Sequence, residues 1–217
     1  MAEDDFELLE RWRGGDRSAG TALFERYFDS ICRFFANKFD TEVDDLVQRT
    51  FTACVENRDR FRGHSSFRTY IFGIAHNVLR THLRTLQRER RRFEPDAESI
   101  HDLGLNPSVL VAHRREEMLV LQALRRIPVD QQTLLELYYW ESMTAPELGE
   151  LFGIPEGTLR SRLRRAKELL ERALRELGEA DALVESTVSG LESWARAVRD
   201  RCGVALPPTP PPGAKSS

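Results

Sequence analysis

Residues 144–167 read Thr-Ala-Pro-Glu-Leu-Gly-Glu-Leu-Phe-Gly-Ile-Pro-Glu-Gly-Thr-Leu-Arg-Ser-Arg-Leu-Arg-Arg-Ala-Lys and predict two helices joined by a short break. Thr144 and Glu147 have the spacing of a capping box, in which each side chain satisfies a free amide at a helix start. Gly153 ends that helix, and the Ile-Pro pair after it interrupts the hydrogen-bond ladder. Apolar residues then recur at helical spacing at Leu159, Leu163, Ala166 and Leu170. The stretch therefore predicts a helix-turn-helix.

The second helix of this stretch is densely basic away from its apolar stripe. Between Thr158 and Lys167 there are five cations and no anion. At about 100° per residue, most of these side chains point away from the core, as in a helix that reads a DNA groove. A solvated amphipathic helix is the alternative, but the capped helix, the break and the cationic helix together favour DNA. The predicted DNA contacts are Thr158, Arg160, Ser161, Arg164, Arg165 and Lys167.

Charge is unevenly distributed along the chain, although the 217 residues sum to a net charge of only −3. Residues 58–92 carry 10 basic and 2 acidic side chains, and residues 156–175 carry 7 and 3. These two blocks therefore have net charges of +8 and +4, and the segments around them are acidic. Binding to a polyanion depends on such local fields and not on the total charge. The distribution predicts two DNA-facing surfaces.

Helical periodicity runs through the chain and predicts an all-α protein. Three apolar stripes between residues 18 and 88 can close a small bundle, with Ser18 and Ser66 as candidate helix caps. The acidic, turn-rich residues that follow are typical of a flexible linker. We predict a first domain at 1–92, a flexible acidic linker at 93–108, a helix-turn-helix domain at 109–178 and a C-terminal extension at 179–217.

The C-terminal extension is predicted to begin with an amphipathic helix over residues 180–202. Its apolar residues recur at helical spacing, so the helix is expected to dock on the second domain or on a partner. The proline-rich residues 207–217 have no apolar content to pack and are expected to be disordered.

The sequence disfavours several other classes of protein. No apolar run approaches the roughly 18 residues of a membrane span, and no signal peptide is evident. The three widely spaced cysteines fit free thiols in a reducing cytoplasm. We expect no catalytic site, cofactor or metal, because no nucleophile with a base, phosphate loop or His/Cys ligand pattern occurs. A magnesium nuclease built on Glu42, Asp44 and Asp45 is disfavoured because no second carboxylate cluster accompanies them.

Three ordered motifs resemble the extracytoplasmic-function sigma factors of bacterial RNA polymerase. They are DDLVQRTF at residues 44–51, FRTYIFGIAHNVLR at residues 67–80, and the helix-turn-helix preceded by Ile127-Pro128. The resemblance covers residues 18–175 and implies two helical domains. In the family the first domain binds the polymerase clamp and opens the −10 element, and the second binds the polymerase flap and reads the −35 element.

The resemblance also implies partners and an inhibitor. Core RNA polymerase and promoter DNA are the implied partners. An anti-sigma factor is a further candidate, because members of this family are commonly held inactive by one. A ligand- or partner-regulated helix-turn-helix regulator is the alternative function, but it needs a sensing domain or a dimer interface, for which a basic first domain is poorly suited.

The same resemblance assigns roles to residues of the first domain. Polymerase docking falls to Asp44, Asp45, Leu46 and Gln48. Contacts with the −10 strand fall to Phe67, Tyr70, His76, Asn77, Arg80, Arg84 and Arg88. Unpaired bases need flat stacking partners and amide hydrogen bonds, and their phosphates need cations. Two positions depart from the family pattern, since Arg49 replaces a usual carboxylate and Pro155 stands where a capping Ser or Thr can occur.

Overall fold

The computed structural model describes residues 4–61, 63, 65–93, 115–177 and 190–191, with side chains throughout except at 90–93 and 115–118. This part of the chain has helices and no strands, which confirms the predicted all-α class. Its elements are α1 (Asp5–Arg13), α2 (Arg17–Ala36), α3 (Val43–Asn57), a 3₁₀ helix (Arg58–Arg60), α4 (Phe67–Phe93), α5 (Arg115–Arg125), α6 (Val129–Tyr139), α7 (Ala145–Phe152) and α8 (Glu156–Glu176).

Helices α1 to α4 form the first unit. Helix α3 packs against both α2 and α4, as the three apolar stripes predict. Helix α1, which none of the three apolar stripes predicted, packs along α2 and buries Leu8, Leu9 and Trp12. A Cβ atom on Gly20 would come within 2.6 Å of the Trp12 ring. The glycine therefore allows α1 to lie close against α2.

Two helices of the first unit, α2 and α4, begin at a side-chain cap. Ser66 caps α4 as predicted, because its hydroxyl accepts a hydrogen bond from the Thr69 amide at 3.1 Å. The prediction that Ser18 caps α2 is wrong. The cap is Asp16, whose carboxylate accepts from the amides of Ser18 and Ala19. Helix α2 begins at Arg17, so the aspartate stands at the position from which a side chain reaches the free amides.

Helices α5 to α8 form the second unit, in which α8 packs against α5, α6 and α7. The predicted capping box is present, with Thr144 and Glu147 exchanging side-chain and backbone hydrogen bonds. Gly153 ends α7 in the left-handed conformation, with φ of 64°. Helix α8 follows Pro155 and has no side-chain cap at its start. The helix-turn-helix is therefore present with the predicted start and break.

The remaining organisational predictions fall largely outside the described residues. The linker predicted at 93–108 lies outside them except for Phe93, which ends α4. Residues 109–114, most of the helix predicted at 180–202, and the proline-rich tail also lie outside them. In the extension the structure describes Gly190 and Leu191, and Leu191 is buried in the hydrophobic core.

Candidate nucleic-acid interface

Helix α8 presents a basic surface to solvent. Its apolar stripe is buried, while Thr158, Arg160, Ser161, Arg164 and Arg165 are all exposed. The side chains of Arg160 and Arg164 are 74% and 80% exposed, and each has a glutamate partner one turn away. Exposed pairs of this spacing contribute only about 0.3–0.5 kcal/mol. DNA phosphates or bases can therefore replace the glutamates at little energetic penalty.

Lys167 differs from the other predicted contacts on α8 because its side chain lies partly inward. The residue is half-buried, and its ammonium lies 5.1 Å from the centroid of the Tyr139 ring. A cation over an aromatic face contributes about 0.5–1 kcal/mol at an exposed site. Lys167 therefore helps to fix α8 on α6 and is less available to DNA than Arg160 or Arg164.

Helix α4 carries a second basic surface. Exposed side chains follow one face of the helix over about three turns, because they recur at intervals of three or four residues. These side chains are Asn77, Arg80, Arg84 and Arg88. The surface combines one amide with three guanidinium groups, so it can contact both base edges and phosphates.

A cavity of about 520 Å³ lies between α3 and α4 beside this surface. Its lining residues are Arg49, Ala53, Asn57, Arg60, Tyr70, Ile74, Asn77, Val78 and Thr81. The hydroxyl of Tyr70 is buried without a hydrogen-bond partner among the described residues, and burial raises the pKa of Tyr70 to about 12. Leaving a buried donor unsatisfied is unfavourable by about 1–3 kcal/mol. A ligand that supplies an acceptor would remove that penalty.

Three of the lining residues were missed by the sequence analysis as candidates for the −10 strand. Asn57 and Arg60 follow the α3 motif, and Arg49 was noted only as a departure from the family pattern. All three reach the cavity because α3 packs beside α4. The basic block at 58–92 pointed to Arg60, but no pattern in the sequence indicates which helices are neighbours.

Two predicted contacts with the −10 strand are buried. Phe67 is 3% exposed, and its ring contacts the rings of Tyr27 and Tyr70 at centroid distances of 5.5 and 6.0 Å. His76 is 6% exposed and meets the ring of Phe152 on α7 at 5.0 Å. Neither side chain can reach a DNA strand in this conformation.

The segment assigned to polymerase docking lies on α3, and its four residues differ in how exposed their side chains are. Asp44, Asp45 and Gln48 are exposed, whereas Leu46 is completely buried in the first unit. Leu46 can therefore position the segment but cannot contact a partner. Arg49 lies 2.8 Å from Asp45, so the reversed charge at this position is paired within the same helix.

The described residues provide little for redox or metal chemistry. Within them, no group of three or more His, Cys, Asp or Glu side chains is placed to hold a metal ion. Cys32 and Cys54 are free thiols, and burial raises the pKa of Cys54 to about 12, which makes it a poor nucleophile. None of the helices described is both long and apolar enough to cross a membrane.

Comparison with known families matches both units in chain order. Sigma-70 region 2 matches residues 23–89, and sigma-70 region 4 matches residues 117–170. The first match contains the α3–α4 cavity, and the second contains the basic surface of α8. A helix-turn-helix regulator of another class would have no reason to match region 2.

Two solved structures resemble this fold. Sigma factor RpoE of Bartonella quintana, in complex with the anti-sigma factor NepR, has a TM-score of 0.60 at 19% identity, covering 71% of this chain and 96% of that one. CnrH, in complex with the cytosolic domain of CnrY, has a TM-score of 0.59 at 22% identity, covering 80% and 99%. At these identities the similarity supports the all-α arrangement.

Sequence relatives extend the match over nearly the whole length of known proteins. The ECF RNA polymerase sigma-E factor of Haemophilus influenzae is 30% identical over 190 residues, which is 82% of this chain and 100% of that protein. The RNA polymerase sigma-H factor of Pseudomonas aeruginosa is 31% identical over 189 residues, which is 81% and 96%. The chain therefore belongs to the extracytoplasmic-function family of RNA polymerase sigma factors.

Proposed function

We propose that this sigma factor directs core RNA polymerase to promoters by reading the −10 element with α4 and the α3–α4 cavity, and the −35 element with α8. The observation that supports this division is the presence of two separate exposed basic surfaces in a chain of net charge −3. Each surface lies in one of the two matched sigma regions. Local positive charge of this kind drives binding to DNA.

For the −35 element, we propose that the N-terminal half of α8 enters the major groove. Recognition helices of this motif use their N-terminal residues for base edges, while the preceding helix crosses the backbone. Arg160 and Arg164 are four residues apart and therefore lie on one face. An arginine can donate two hydrogen bonds to a guanine in the major groove. Thr158, Ser161 and Arg165 can then contact phosphates or neighbouring bases, whereas Lys167 would have to leave the Tyr139 ring to do so.

For the −10 element, we propose that an unpaired base enters the α3–α4 cavity. The Tyr70 ring supplies a stacking surface, and the Asn77 amide can bond a base edge. Arg49 and Arg60 lie at the same cavity and can bind the flanking phosphates. Arg80, Arg84 and Arg88 continue the positive surface along α4, where the strand would run.

For polymerase docking, we propose that Asp44, Asp45 and Gln48 form the contact and that Leu46 holds them in place. Asp45 already has a partner in Arg49, and both side chains are more than half exposed. Exposed pairs are worth about 0–1 kcal/mol. A basic group on the polymerase can therefore displace Arg49 without a large energetic penalty.

We further infer that the protein catalyses no reaction itself and acts in the cytoplasm with the polymerase, which carries out the chemistry. An anti-sigma factor is a proposed additional partner, because RpoE was solved with NepR bound. The domain limits of 1–92, 93–108, 109–178 and 179–217 also remain proposals. Both region matches fall inside the two helical domains.

Run-off transcription with purified core polymerase on genomic fragments tests this function. We expect initiation at sites that core polymerase alone ignores. A matched variant carrying both Arg160→Ala and Arg164→Ala should still bind the polymerase but lose initiation at those sites. The proposal is wrong if the protein binds duplex DNA sequence-specifically on its own and leaves initiation by core polymerase unchanged.

A further inference from the structure

Arg49 belongs to two surfaces of the first unit at once. Its guanidinium lies 2.8 Å from the Asp45 carboxylate on the segment proposed for polymerase docking. The same residue lines the α3–α4 cavity, together with Asn57, Arg60 and Asn77. Asp45 and Arg49 are four residues apart on α3, or about 6 Å along the helix axis at about 1.5 Å per residue. A single side chain thus connects the proposed polymerase contact with the proposed strand contact.

The helix around Arg49 offers its side chain one anion. On an α-helix a side chain meets those three and four positions away, which for Arg49 are Asp45, Leu46, Thr52 and Ala53. Asp45 is the charged member of this set, and it precedes the arginine, which is the more favourable order. The side chains of the pair are 57% and 52% exposed, so the pair changes an equilibrium constant only about twofold. Arg49 can therefore exchange Asp45 for a stronger partner.

The wall of the cavity holds cations without a matching anion. Its described lining includes two arginines, Arg49 and Arg60, and no aspartate or glutamate. Arg60 donates to the side-chain oxygen of Asn57 at 3.4 Å, and that partner is neutral. An Arg49 side chain that leaves Asp45 therefore finds no carboxylate among the described lining residues. A phosphate of a bound strand would supply the anion, and a guanidinium can bind it through two parallel hydrogen bonds.

Docking on the polymerase would change the surroundings of Arg49. The proposed docking contact consists of Asp44, Asp45 and Gln48, so the complementary surface of the polymerase is basic. A basic group that reaches Asp45 takes this anion from Arg49 and also comes close to the guanidinium. Two like charges at such a short distance repel each other. Both effects favour an Arg49 side chain that turns from the polymerase towards the cavity.

We propose that Arg49 couples polymerase docking to capture of the −10 strand. Docking releases Arg49 from Asp45, and the released guanidinium binds a strand phosphate at the α3–α4 cavity. The proposal rests on the sigma function, because it joins two contacts on which that function depends. Coupling between two ligands is reciprocal, so a bound strand tightens the polymerase contact by the same factor. A carboxylate at position 49, which is the usual residue in the family, could not make this exchange.

Two contributions set the size of this coupling. Exchange of the Asp45 pair is worth about twofold, and relief of the repulsion between exposed like charges is of similar size. We therefore expect Arg49 to contribute a coupling factor of roughly two- to fivefold. Added salt should reduce the factor, because both contributions arise between exposed charges that salt screens.

Polymerase affinity with and without the −10 strand measures the coupling in the full-length protein. The protein is titrated with core polymerase alone and with an excess of a single-stranded oligonucleotide, the non-template −10 strand of a promoter found by run-off transcription. The ratio of the two affinities is the coupling factor. Arg49→Gln should raise the affinity without the strand about two- to threefold, because it leaves Asp45 free for the polymerase. It should also lower the coupling factor roughly two- to fivefold.

Asp45→Asn should give the opposite pattern. It should weaken polymerase docking, because a docking carboxylate is lost. It should also raise the affinity of the protein alone for the oligonucleotide about twofold, because Arg49 is already released. Asp44→Asn is the matched control, since it removes the same charge one residue away without breaking the Arg49 pair. In an Arg49→Gln background, Asp45→Asn should no longer raise strand affinity, so the two changes are not additive.

Arg17→Gln is the control for loss of a cation, since Arg17 is exposed at the start of α2. It should leave both the polymerase affinity and the coupling factor unchanged. Equal coupling factors in the Arg49→Gln and unchanged proteins would overturn the proposal. So would an Arg49→Gln protein that binds the strand less tightly but gains no polymerase affinity, because Arg49 would then be a phosphate contact independent of docking. Absence of polymerase binding by the unchanged protein would contradict the sigma function itself.

Discussion

The two basic surfaces of this sigma factor differ in how much of each is open. On α8, five of the six predicted DNA contacts are exposed, and their ion pairs are weak surface pairs. On α4, two of the seven predicted contacts are buried, and His76 lies against the other unit. A surface that reads duplex DNA has to be rigid and exposed before it meets the groove. By the proposed assignment, the α8 surface meets duplex DNA directly, whereas the α4 surface binds a strand that is separated during opening.

The largest expected effect is on stability, and it should differ between predicted DNA contacts that are buried and those that are exposed. Phe67→Ala should lower the free energy of unfolding by about 3–5 kcal/mol, because it removes a buried ring and leaves a cavity. Arg160→Ala, at an exposed contact on α8, should leave stability within about 0.5 kcal/mol. Chemical denaturation of the two variants measures the difference. A stable Phe67→Ala protein that cannot open promoters would show instead that this ring contacts DNA.

The next effect concerns sequence reading by α8. Arg160→Ala or Arg164→Ala should weaken promoter binding by about 1–3 kcal/mol if the side chain reads a base edge, with relaxed preference at one −35 position. Arg175→Ala is the control, since it removes a cation that lies about 22 Å from Arg160 and about 16 Å from Arg164 along the same helix, at about 1.5 Å per residue. Promoter affinity across a set of −35 sequences gives the answer. If neither substitution changes promoter affinity, another face of α8 contacts the −35 element.

A smaller effect is expected from the amide on α4. Asn77→Ala should spare polymerase binding and reduce the permanganate reactivity of the −10 thymines about 2–10-fold, because one hydrogen bond of about 0.5–1.5 kcal/mol is lost. Thr85→Ala is the matched control, since this exposed hydroxyl bonds the Thr81 carbonyl of its own helix. Equal thymine reactivity in the Asn77 variant and the control would show that Asn77 does not contact the −10 strand.

The smallest effect tests the unsatisfied hydroxyl at the cavity. Replacing a buried tyrosine by phenylalanine usually removes a hydrogen bond. Tyr70→Phe instead removes a buried donor that has no partner among the described residues. Stability should therefore stay unchanged or rise by about 1 kcal/mol. Strand opening should fall if the hydroxyl bonds a base. Lower stability would show that the hydroxyl already has a partner, such as a bound water.

The capping box at Thr144 and the break at Gly153 could be predicted from the sequence because both depend on residues a few positions apart. Periodicity likewise indicated which side of α4 is apolar. It could not indicate that His76 faces Phe152, because that contact depends on how two helices pack. Ser18 was mistaken for a cap because Asp16, two residues earlier, can cap equally well.

The pairing between the units was beyond sequence reasoning for the same physical reason. Lys38 and Glu136 are 98 residues apart, and each alone resembles an ordinary surface charge. Burial turns the pair into a specific contact, and burial depends on how the residues that follow α2 lie against α6. The acidic segment before α8 was visible as an excess of charge, but its partners were not.

Footprinting a single initiation complex tests the central claim most directly, which is that the two surfaces act together on two separate promoter elements. Core polymerase, this protein and a promoter identified by run-off transcription would be probed with hydroxyl radicals and permanganate in parallel. We predict backbone protection at the −35 element and reactive thymines at the −10 element in the same complex, with both lost when the protein is omitted. Protection at one duplex site without reactive thymines would contradict the account.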